Sequence, residues 1–222
     1  MQRRGALLNH VHKNGYKQAV VVLHGIWMTA LEMKWLARRI ERCGFTVYRF
    51  GYASIRRSPA QNARLLQTKV NSIDADTVHF VAHSLGGIVL LHLFDQFPQQ
   101  RRGKVVFLGT PLQGSALAQR VASSRWLRPL LGRSLDHGVL GDVPALNEKR
   151  ESLMIAATRR FGIGTLLMPF ALPKPSDGTV TVAETQAPWL SQHKVAHTSH
   201  LGLVMSNNVA QMICRFLQSS DA

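Results

Sequence analysis

Short apolar runs alternate along the chain with longer segments in which apolar and polar residues follow a helical period. The runs that predict strands are QAVVVLHG, FTVYRFGY, TVHFVAHS, KVVFLGTP, ESLMIAAT and HKVAHTSH. Most of these runs are β-branched and apolar throughout, which is typical of strands buried on both faces. We therefore expect an α/β fold with a mainly parallel central sheet and helices on both faces.

The segments between the strands carry the signals of helix ends. LEMKWLARRIERCG is amphipathic and ends at Gly44, where a left-handed residue is favoured. SPAQNARLLQTKVNSI starts with Ser58 as N-cap and Pro59 at the first helical position. LGGIVLLHLFDQF stops before Pro98, and NNVAQMICRFLQ predicts a C-terminal helix. Because no repeat or linker interrupts the alternation, we expect one domain over residues 1–222.

Residues 110–150 depart from this alternation. They contain no strand signal, and their pattern indicates short helices and loops inserted between two strands. A connection of this length is usually functional or mobile. We therefore expect a short, lid-like helical insertion.

The bulk properties exclude several classes of protein. A chain of 222 residues fits one domain with a sizeable core. The longest apolar runs, near Ile88–Leu91 and Thr165–Leu172, are shorter than the roughly 18 residues that cross a bilayer. The N-terminal MQRRGALLNHVHKNGYKQ lacks the apolar stretch of a signal peptide. We expect a cytoplasmic protein, peripheral to a membrane at most.

The two cysteines, Cys43 and Cys214, cannot form a metal site alone, and the chain has no CxxC motif. We expect two buried or half-buried free thiols, with a disulfide as the alternative. Free thiols would fit a reducing compartment.

The charge is strongly unbalanced. The chain has 27 Lys and Arg against 12 Asp and Glu, a net charge of +15. Such a surface concentrates anionic ligands, membrane head groups or nucleic acid. No zinc-finger spacing or RNP-type strand favours nucleic acid. The first interpretation is a solvated basic surface, and the second is attraction to anionic lipid or an anionic substrate. The basic residues are scattered in pairs: Arg38–Arg39, Arg56–Arg57, Arg101–Arg102 and Arg159–Arg160.

The stretch TVHFVAHSLGGIVLLHLF places Ser84 between a buried strand and a long helix. A serine that presents its hydroxyl to a substrate needs a tight strand-to-helix turn, with small residues two positions away on each side. Ala82 and Gly86 meet this requirement, and Gly87 lets the helix pack closely on the sheet. We therefore predict that Ser84 is a nucleophile, with an ordinary strand–helix turn as the alternative.

A serine hydroxyl needs a histidine base, and an acid must orient that base. His197 and His200 both follow the last predicted strand, and we favour His200 because it falls in the loop. Asp177, in PKPSDGTVTV, lies between Ser84 and His200 along the chain and is the predicted acid, with a plain Asp-Gly turn as the alternative. The other candidates are less well placed: the acids Asp136, Asp142 and Glu184, and the histidines His10, His12, His79, His83, His92, His137 and His193.

Acyl transfer also needs N–H donors for the oxyanion. One is predicted at Leu85, directly after the nucleophile, and the other at Ile26 in the loop after the first strand. His24 and Gly25 end that strand, and Gly25 allows a sharp turn. Trp27 then either lines the substrate pocket or packs.

Five segments, VVVLHGIW, FVAHSLGGIV, FLGTPLQGS, SDGTV and HTSHLGL, together resemble the α/β-hydrolase superfamily. They are most similar to its small bacterial lipases and esterases and to PGAP1-like hydrolases. The similarity runs from Val20 to about Leu217, with the motifs in the expected order. It implies an α/β-hydrolase fold with Ser84 as nucleophile, Asp177 as triad acid and His200 as general base.

The resemblance also implies that Ile26 and Leu85 supply the oxyanion N–H groups. GTPLQGS resembles the segment that runs along the cleft in lipases, so Thr110, like His24 and Trp27, is a candidate substrate contact. The segment after Thr110 is shorter than the caps of many members of the superfamily. A small or open lid would leave the site accessible to bulky or interfacial esters.

The leading functional hypothesis is a serine esterase or lipase that works through an acyl-enzyme and requires no cofactor or metal. An acyl-thioesterase or acyltransferase would use the same triad, because the acyl-enzyme does not specify its donor or acceptor. The basic surface would suit an acyl-CoA or acyl-carrier-protein donor. A hypothesis of another class is a catalytically silent module that binds lipid or protein.

Overall fold

The strands of the protein form a single parallel sheet. The computed structural model describes residues 16–146, 150–161 and 172–219, so the N-terminal segment and most of the apolar run Thr165–Leu172 lie outside the described residues. The strands are β1 (Gln18–Leu23), β2 (Thr46–Phe50), β3 (Thr77–His83), β4 (Val105–Leu108), β5 (Ser152–Ala157) and β6 (Gln192–Ala196). Their order is β2-β1-β3-β4-β5-β6, with every pair parallel. The predicted parallel α/β architecture is confirmed.

Helices cover both faces of this sheet. One hydrophobic cluster joins the second and third helices to one face, and another joins the first helix and the two C-terminal helices to the other. Strands buried on both sides explain why the predicted runs are apolar throughout instead of alternating. The helices are α1 (Lys34–Glu41), α2 (Pro59–Asn71), α3 (Leu85–Gln96), α4 (Ala116–Ser123), α5 (Gly202–Met205) and α6 (Asn207–Gln218).

The predicted helix ends agree with the structure at most positions. Ser58 caps α2 by accepting from the N–H of Gln61, whose side chain accepts in return from the N–H of Ser58. Gly44 adopts a φ of 95° after α1. The helix α1 starts later than its amphipathic pattern because Thr29 donates its N–H and hydroxyl to the Glu32 carboxylate, which holds a turn there. The short helix α5 was not predicted.

The insertion at 110–150 packs over the start of α3. Its described part contains α4 and two short 3₁₀ helices, Arg128–Leu130 and Gly132–Leu135. Val121 and Leu131 of the insertion pack in one cluster with Leu85 and Ile88 of α3. The insertion therefore covers the strand–helix turn that holds Ser84.

The expectation of two free thiols is wrong. Cys43, just after α1, and Cys214, in α6, form a disulfide across a separation of 171 residues. The packing of α1 and α6 on the same face of the sheet brings the two residues together, and no local sequence signal announces such a long-range contact. The thiol-based argument for a reducing compartment is thereby removed. None of the helices in the described part of the chain is long and apolar enough to span a membrane.

Candidate active site

Ser84 sits in a strained turn between β3 and α3. Its φ of 52° and ψ of −122° are rare for a residue with a side chain. A β-carbon added to Gly86 would lie 2.6 Å from the carbonyl oxygen of His24, and one added to Gly87 would lie 2.1 Å from the Thr110 hydroxyl oxygen. The small residues after Ser84 are therefore required by the close approach of α3 to the ends of β1 and β4.

Asp177 and His200 form a hydrogen-bonded pair, in which Asp177 is buried and His200 is partly buried. His200 Nδ1 donates to Asp177 Oδ2 at 2.7 Å, and Asp177 Oδ1 accepts from the main-chain N–H groups of Thr179 and Val180, each at 2.8 Å. The Asp177 side chain is 1% exposed, and Gly178 takes the left-handed φ of 92° that the tight turn requires. The Asp-Gly turn thus aims a fixed carboxylate at the ring.

The electrostatic surroundings keep Asp177 ionised. Burial acts to raise the pKa of its carboxyl group, but the nearby His200 charge, its hydrogen bond and the two main-chain N–H groups outweigh burial and lower the pKa below its ordinary value. A carboxylate accepts only, so the proton of a neutral His200 ring lies on Nδ1. The lone pair of the ring is then on Nε2, which is the arrangement a general base needs.

The His200 ring lies beside the end of β4, next to the serine turn. The N–H of Ser84 donates to the Leu108 carbonyl at 2.9 Å, which joins the serine turn to the end of β4. Gly109 follows Leu108, and a β-carbon added to Gly109 would lie 3.2 Å from both Nδ1 and Cε1 of His200. Ser84, Asp177 and His200 therefore lie at the same carboxyl edge of the sheet, where parallel sheets place their ligands.

His83, one of the histidines less well placed as a base from the sequence, is a neighbour of this group. Its Nε2 donates to the main-chain carbonyl of His200 at 3.1 Å, and the centres of the two rings are 4.7 Å apart. Burial lowers the pKa of His83 to about 3, so the ring is neutral near pH 7. The only sequence signal for this contact is its position directly before Ser84.

The loop after β1 approaches the same turn. A β-carbon on Gly25 would lie 3.2 Å from Cβ of Ser84. Within the described residues, neither the N–H of Ile26 nor that of Leu85 donates to a protein acceptor. Trp27 fixes the loop with a φ of 57° and an N–H that donates to the Ser54 hydroxyl at 3.1 Å. The N–H groups that follow Gly25 and Ser84 along the chain are thus free of protein acceptors among the described residues.

The three predicted substrate contacts lie in different places. Trp27 is 47% exposed, and its indole Nε1 donates to the Leu130 carbonyl of the insertion at 2.8 Å. His24 is fully buried, donates from Nδ1 to the Gly25 carbonyl and accepts at Nε2 from the N–H of Tyr52. Thr110 is also fully buried and donates to the Ser84 carbonyl at 3.1 Å. His24 and Thr110 therefore hold the loop after β1 and the turn of Ser84 in place from the protein interior, and they do not face a substrate.

The rival acids are engaged elsewhere. The Glu184 carboxylate accepts from the N–H groups of Ala116 and Thr181, which ties α4 to the loop of Asp177. Asp136 pairs with Arg133, and Asp142 pairs with His137 at the surface of the insertion. His197 is exposed beyond β6. The described residues contain no cluster of His, Cys, Asp and Glu that would hold a metal ion.

A family model described as a domain of unknown function, DUF7379, matches residues 7–149. No curated protein matches the chain. Among solved structures, the mature lipase BlEst2 of Bacillus licheniformis has a TM-score of 0.77 and 20% identity, over 93% of this chain and 94% of that one. The metagenomic carboxyl esterase MGS0156 has a TM-score of 0.61 and 20% identity, over 91% of this chain and 75% of its own. The carboxylesterase CesB of Bacillus subtilis has a TM-score of 0.58 and 14% identity, over 92% and 85%.

These likenesses extend over nearly the whole described chain. Together with the single parallel sheet and the helices on both faces, they show that the chain has the α/β-hydrolase fold. At identities of 20% and below they establish the fold and leave the chemistry to the site itself.

Proposed function

The chain belongs to the DUF7379 family, whose description assigns no activity, and we propose from its site that it is a serine hydrolase of carboxylic esters, an esterase or lipase. The names of the structural neighbours, a lipase and two carboxylesterases, support an ester as the substrate class. The observation that carries the proposal is the hydrogen bond of 2.7 Å between His200 and the buried Asp177, at the sheet edge that also holds the strained turn of Ser84.

In the acylation step, Ser84 Oγ attacks the ester carbonyl carbon while His200 Nε2 takes the hydroxyl proton. The Asp177 carboxylate stabilises the imidazolium that forms, because it already accepts the Nδ1 proton. The oxyanion of the tetrahedral intermediate accepts from the N–H groups of Ile26 and Leu85. Such donors contribute most when they are fixed before the reaction, as the bonded loop of Trp27 and the start of α3 are here. His200 then gives its proton to the leaving alcohol.

In the deacylation step, water replaces the alcohol. His200 Nε2 removes a proton from the water, which attacks the acyl carbon; His200 then returns this proton to Ser84 Oγ as the C–Oγ bond breaks and the carboxylic acid leaves. The same two N–H groups stabilise the second oxyanion. The buried Thr110 hydroxyl donates to the Ser84 carbonyl, and Gly87 lets α3 pack against Thr110. Because these contacts hold the turn, Ser84 keeps its strained backbone conformation through both steps.

Thioester hydrolysis is a second candidate that one property of the chain favours. The net charge of +15 attracts an anionic donor such as acyl-CoA or an acyl-carrier protein. The acylation chemistry is unchanged, since a thiolate leaves in place of an alkoxide. Transfer to an acceptor alcohol would differ only in the nucleophile of the second step.

The test is a chain-length series of p-nitrophenyl esters and of acyl-CoA thioesters, assayed with wild-type protein and Ser84→Ala. We expect ester turnover that Ser84→Ala abolishes, and covalent labelling of the wild type alone by a fluorophosphonate probe. Higher kcat/KM for acyl-CoA than for matched esters would favour the thioesterase.

The matched control is Ser72→Ala, which removes an exposed hydroxyl at the end of α2 that donates only to the Lys69 carbonyl. It should keep full labelling and turnover. Ester hydrolysis that persists in Ser84→Ala, or a wild type that the probe never labels, would refute the mechanism.

A further inference from the structure

Six consecutive residues of the insertion, Arg125–Leu130, are all exposed. Their sequence is RWLRPL, so one short segment carries an aromatic ring, two leucines and two arginines. Trp126 is 83% exposed, an unusual value for the largest apolar side chain. A cluster of this kind on the surface marks an interaction site more often than a chance exposure.

The charge around this segment is one-sided. Residues 111–135 of the insertion contain no Asp or Glu, although they contain four arginines, Arg120, Arg125, Arg128 and Arg133, of which Arg133 pairs with Asp136. Arg125 and Arg128 form no ion pair or side-chain hydrogen bond within the described residues, and the Arg125 guanidinium lies 5.5 Å from the centre of the Trp126 ring. The segment thus presents cations that the described part of the chain does not neutralise.

Further basic residues lie next to it. The Ile55 carbonyl accepts from the N–H of Arg133 at 2.8 Å, so the exposed Arg56 and Arg57 lie close to the same part of the insertion. We call the surface formed by Arg56, Arg57 and Arg125–Leu130 the basic rim. It carries four arginines and the exposed Trp126.

We propose that the basic rim docks the protein on an anionic lipid surface. An indole ring inserts favourably at the boundary between head groups and acyl chains, and arginines beside it pair with anionic head groups. A second copy of the chain fits poorly, because it carries the same net charge of +15. The segment is far too short to span a bilayer, so it docks on the surface.

The basic rim is joined to the candidate site. Leu130 belongs to it, and its carbonyl accepts from the Trp27 indole in the loop that holds Ile26. Docking would therefore bring this loop, whose Gly25 approaches Ser84, towards the lipid. The proposal goes beyond ester hydrolysis and does not rest on it, so binding is measured with the inactive Ser84→Ala protein.

The experiment is sedimentation of Ser84→Ala protein with vesicles of phosphatidylcholine, with or without phosphatidylglycerol. We expect binding only when phosphatidylglycerol is present, and weaker binding as salt rises. Combining Ser84→Ala with Arg125→Gln/Arg128→Gln should weaken binding roughly 25-fold, because each of two arginines at an anionic surface contributes about fivefold. Combining Ser84→Ala with Trp126→Ala should weaken vesicle binding about tenfold.

The matched controls lie on α1, on the other face of the sheet. Trp35 is 56% exposed with the Arg39 guanidinium 5.0 Å from its ring centre, and Arg38 and Arg42 are exposed. Trp35→Ala and Arg38→Gln/Arg42→Gln should bind like the parent protein, and thermal melting should show that all variants are folded.

Several outcomes would overturn the proposal. They are equal losses in the rim and α1 variants, equal binding to neutral vesicles, and no binding at all. Duplex DNA that displaces the vesicles and depends on the same arginines would assign the basic rim to nucleic acid. Sedimentation of the protein alone as a dimer that Trp126→Ala dissociates would assign it to self-association.

Discussion

His83 donates a hydrogen bond from Nε2 to the main-chain carbonyl of His200 at 3.1 Å, so the residue before Ser84 holds the backbone of the proposed base. The other ring nitrogen of His83, Nδ1, is buried without a hydrogen-bond partner among the described residues. The ring is therefore neutral, with its proton on Nε2. Through this bond, the turn of Ser84 and the loop of His200 are positioned relative to each other.

Replacing His83 should impair turnover more than folding. His83→Leu removes the donor to the His200 carbonyl, and a displaced base loses about 10- to 100-fold in kcat. His83→Gln keeps an amide donor and should recover part of this loss. The measurement is kcat and KM on a soluble ester, with thermal melting as the folding control. Equal kcat in all three proteins would show that the hydrogen bond does not position the base.

The same residue makes stability depend on pH. Burial lowers the pKa of His83 to about 3 in the folded protein, against 6.5 for an ordinary histidine. As the pH falls below about 6.5, the unfolded chain binds a proton that the folded protein does not bind until about 3. The free energy of unfolding therefore falls across this window, by at most about 1.4 kcal/mol per pH unit from this residue.

Urea unfolding at a series of pH values tests this linkage. Burial also lowers the pKa values of His24, His92 and His193, so the wild-type curve contains their contributions. Comparison with His83→Gln isolates the residue, and its curve should be flatter between about pH 6.5 and 3. Parallel curves for the two proteins would contradict the assignment.

The fold could be predicted from the sequence because each element carries local signals. Ser58 caps α2, Gly44 follows α1, and Pro98 follows α3 as the pattern indicated. Strand ends were less predictable: β6 stops at Ala196 because the N–H of Thr198 turns back to its carbonyl, which no apolar pattern reveals.

The candidate site could be predicted only where local geometry required particular residues. The turn of Ser84 needs small neighbours, and the Asp177 turn needs Gly178, so both leave a mark on the sequence. The contact of His83 with His200 joins residues 117 positions apart, and the burial of His24 and Thr110 depends on packing from other strands. Such relationships follow from the tertiary fold and have no local signature.

The chain offers a direct test of the role of Asp177, because it contains a second His–Asp pair. Asp177→Asn replaces the acceptor of the His200 proton, favours the wrong tautomer, and should lower kcat on the order of 10³- to 10⁴-fold. Asp142→Asn changes the pair with His137, whose side chains are 73% and 79% exposed, and should leave kcat within about twofold. The measurement is kcat for ester hydrolysis by both variants. Similar losses of kcat in Asp177→Asn and Asp142→Asn would remove Asp177 from the mechanism.

Because α3 lies so close to the end of β1, a side chain at Gly86 should lower both stability and the rate of labelling. A β-carbon there would lie 2.6 Å from the His24 carbonyl oxygen, so Gly86→Ala should push the helix and the loop of Ile26 apart. We expect a loss of about 1 to 3 kcal/mol in the free energy of unfolding and slower labelling by a fluorophosphonate. At Gly51 the added carbon would lie at ordinary contact distance, 3.4 Å from Cβ and 4.0 Å from N of Ala30, so Gly51→Ala should match the wild type. Identical labelling rates for both variants would show that α3 can move without disturbing the site.

Because of the disulfide, a reductant should lower the stability of the protein but leave its activity unchanged. Cys43 and Cys214 close a loop of 171 residues, and breaking a cross-link over so long a separation should lower the free energy of unfolding by about 2 to 5 kcal/mol. Cys43 lies just before β2, at the amino edge of the sheet, whereas the candidate site lies at the carboxyl edge, so ester turnover in the folded protein should be unchanged.

Thermal melting with and without a reductant measures the effect of the disulfide on stability, and Cys43→Ser/Cys214→Ser should melt like the reduced protein under both conditions. Two thiols that titrate in the folded, unreduced protein would instead restore the interpretation of free cysteines.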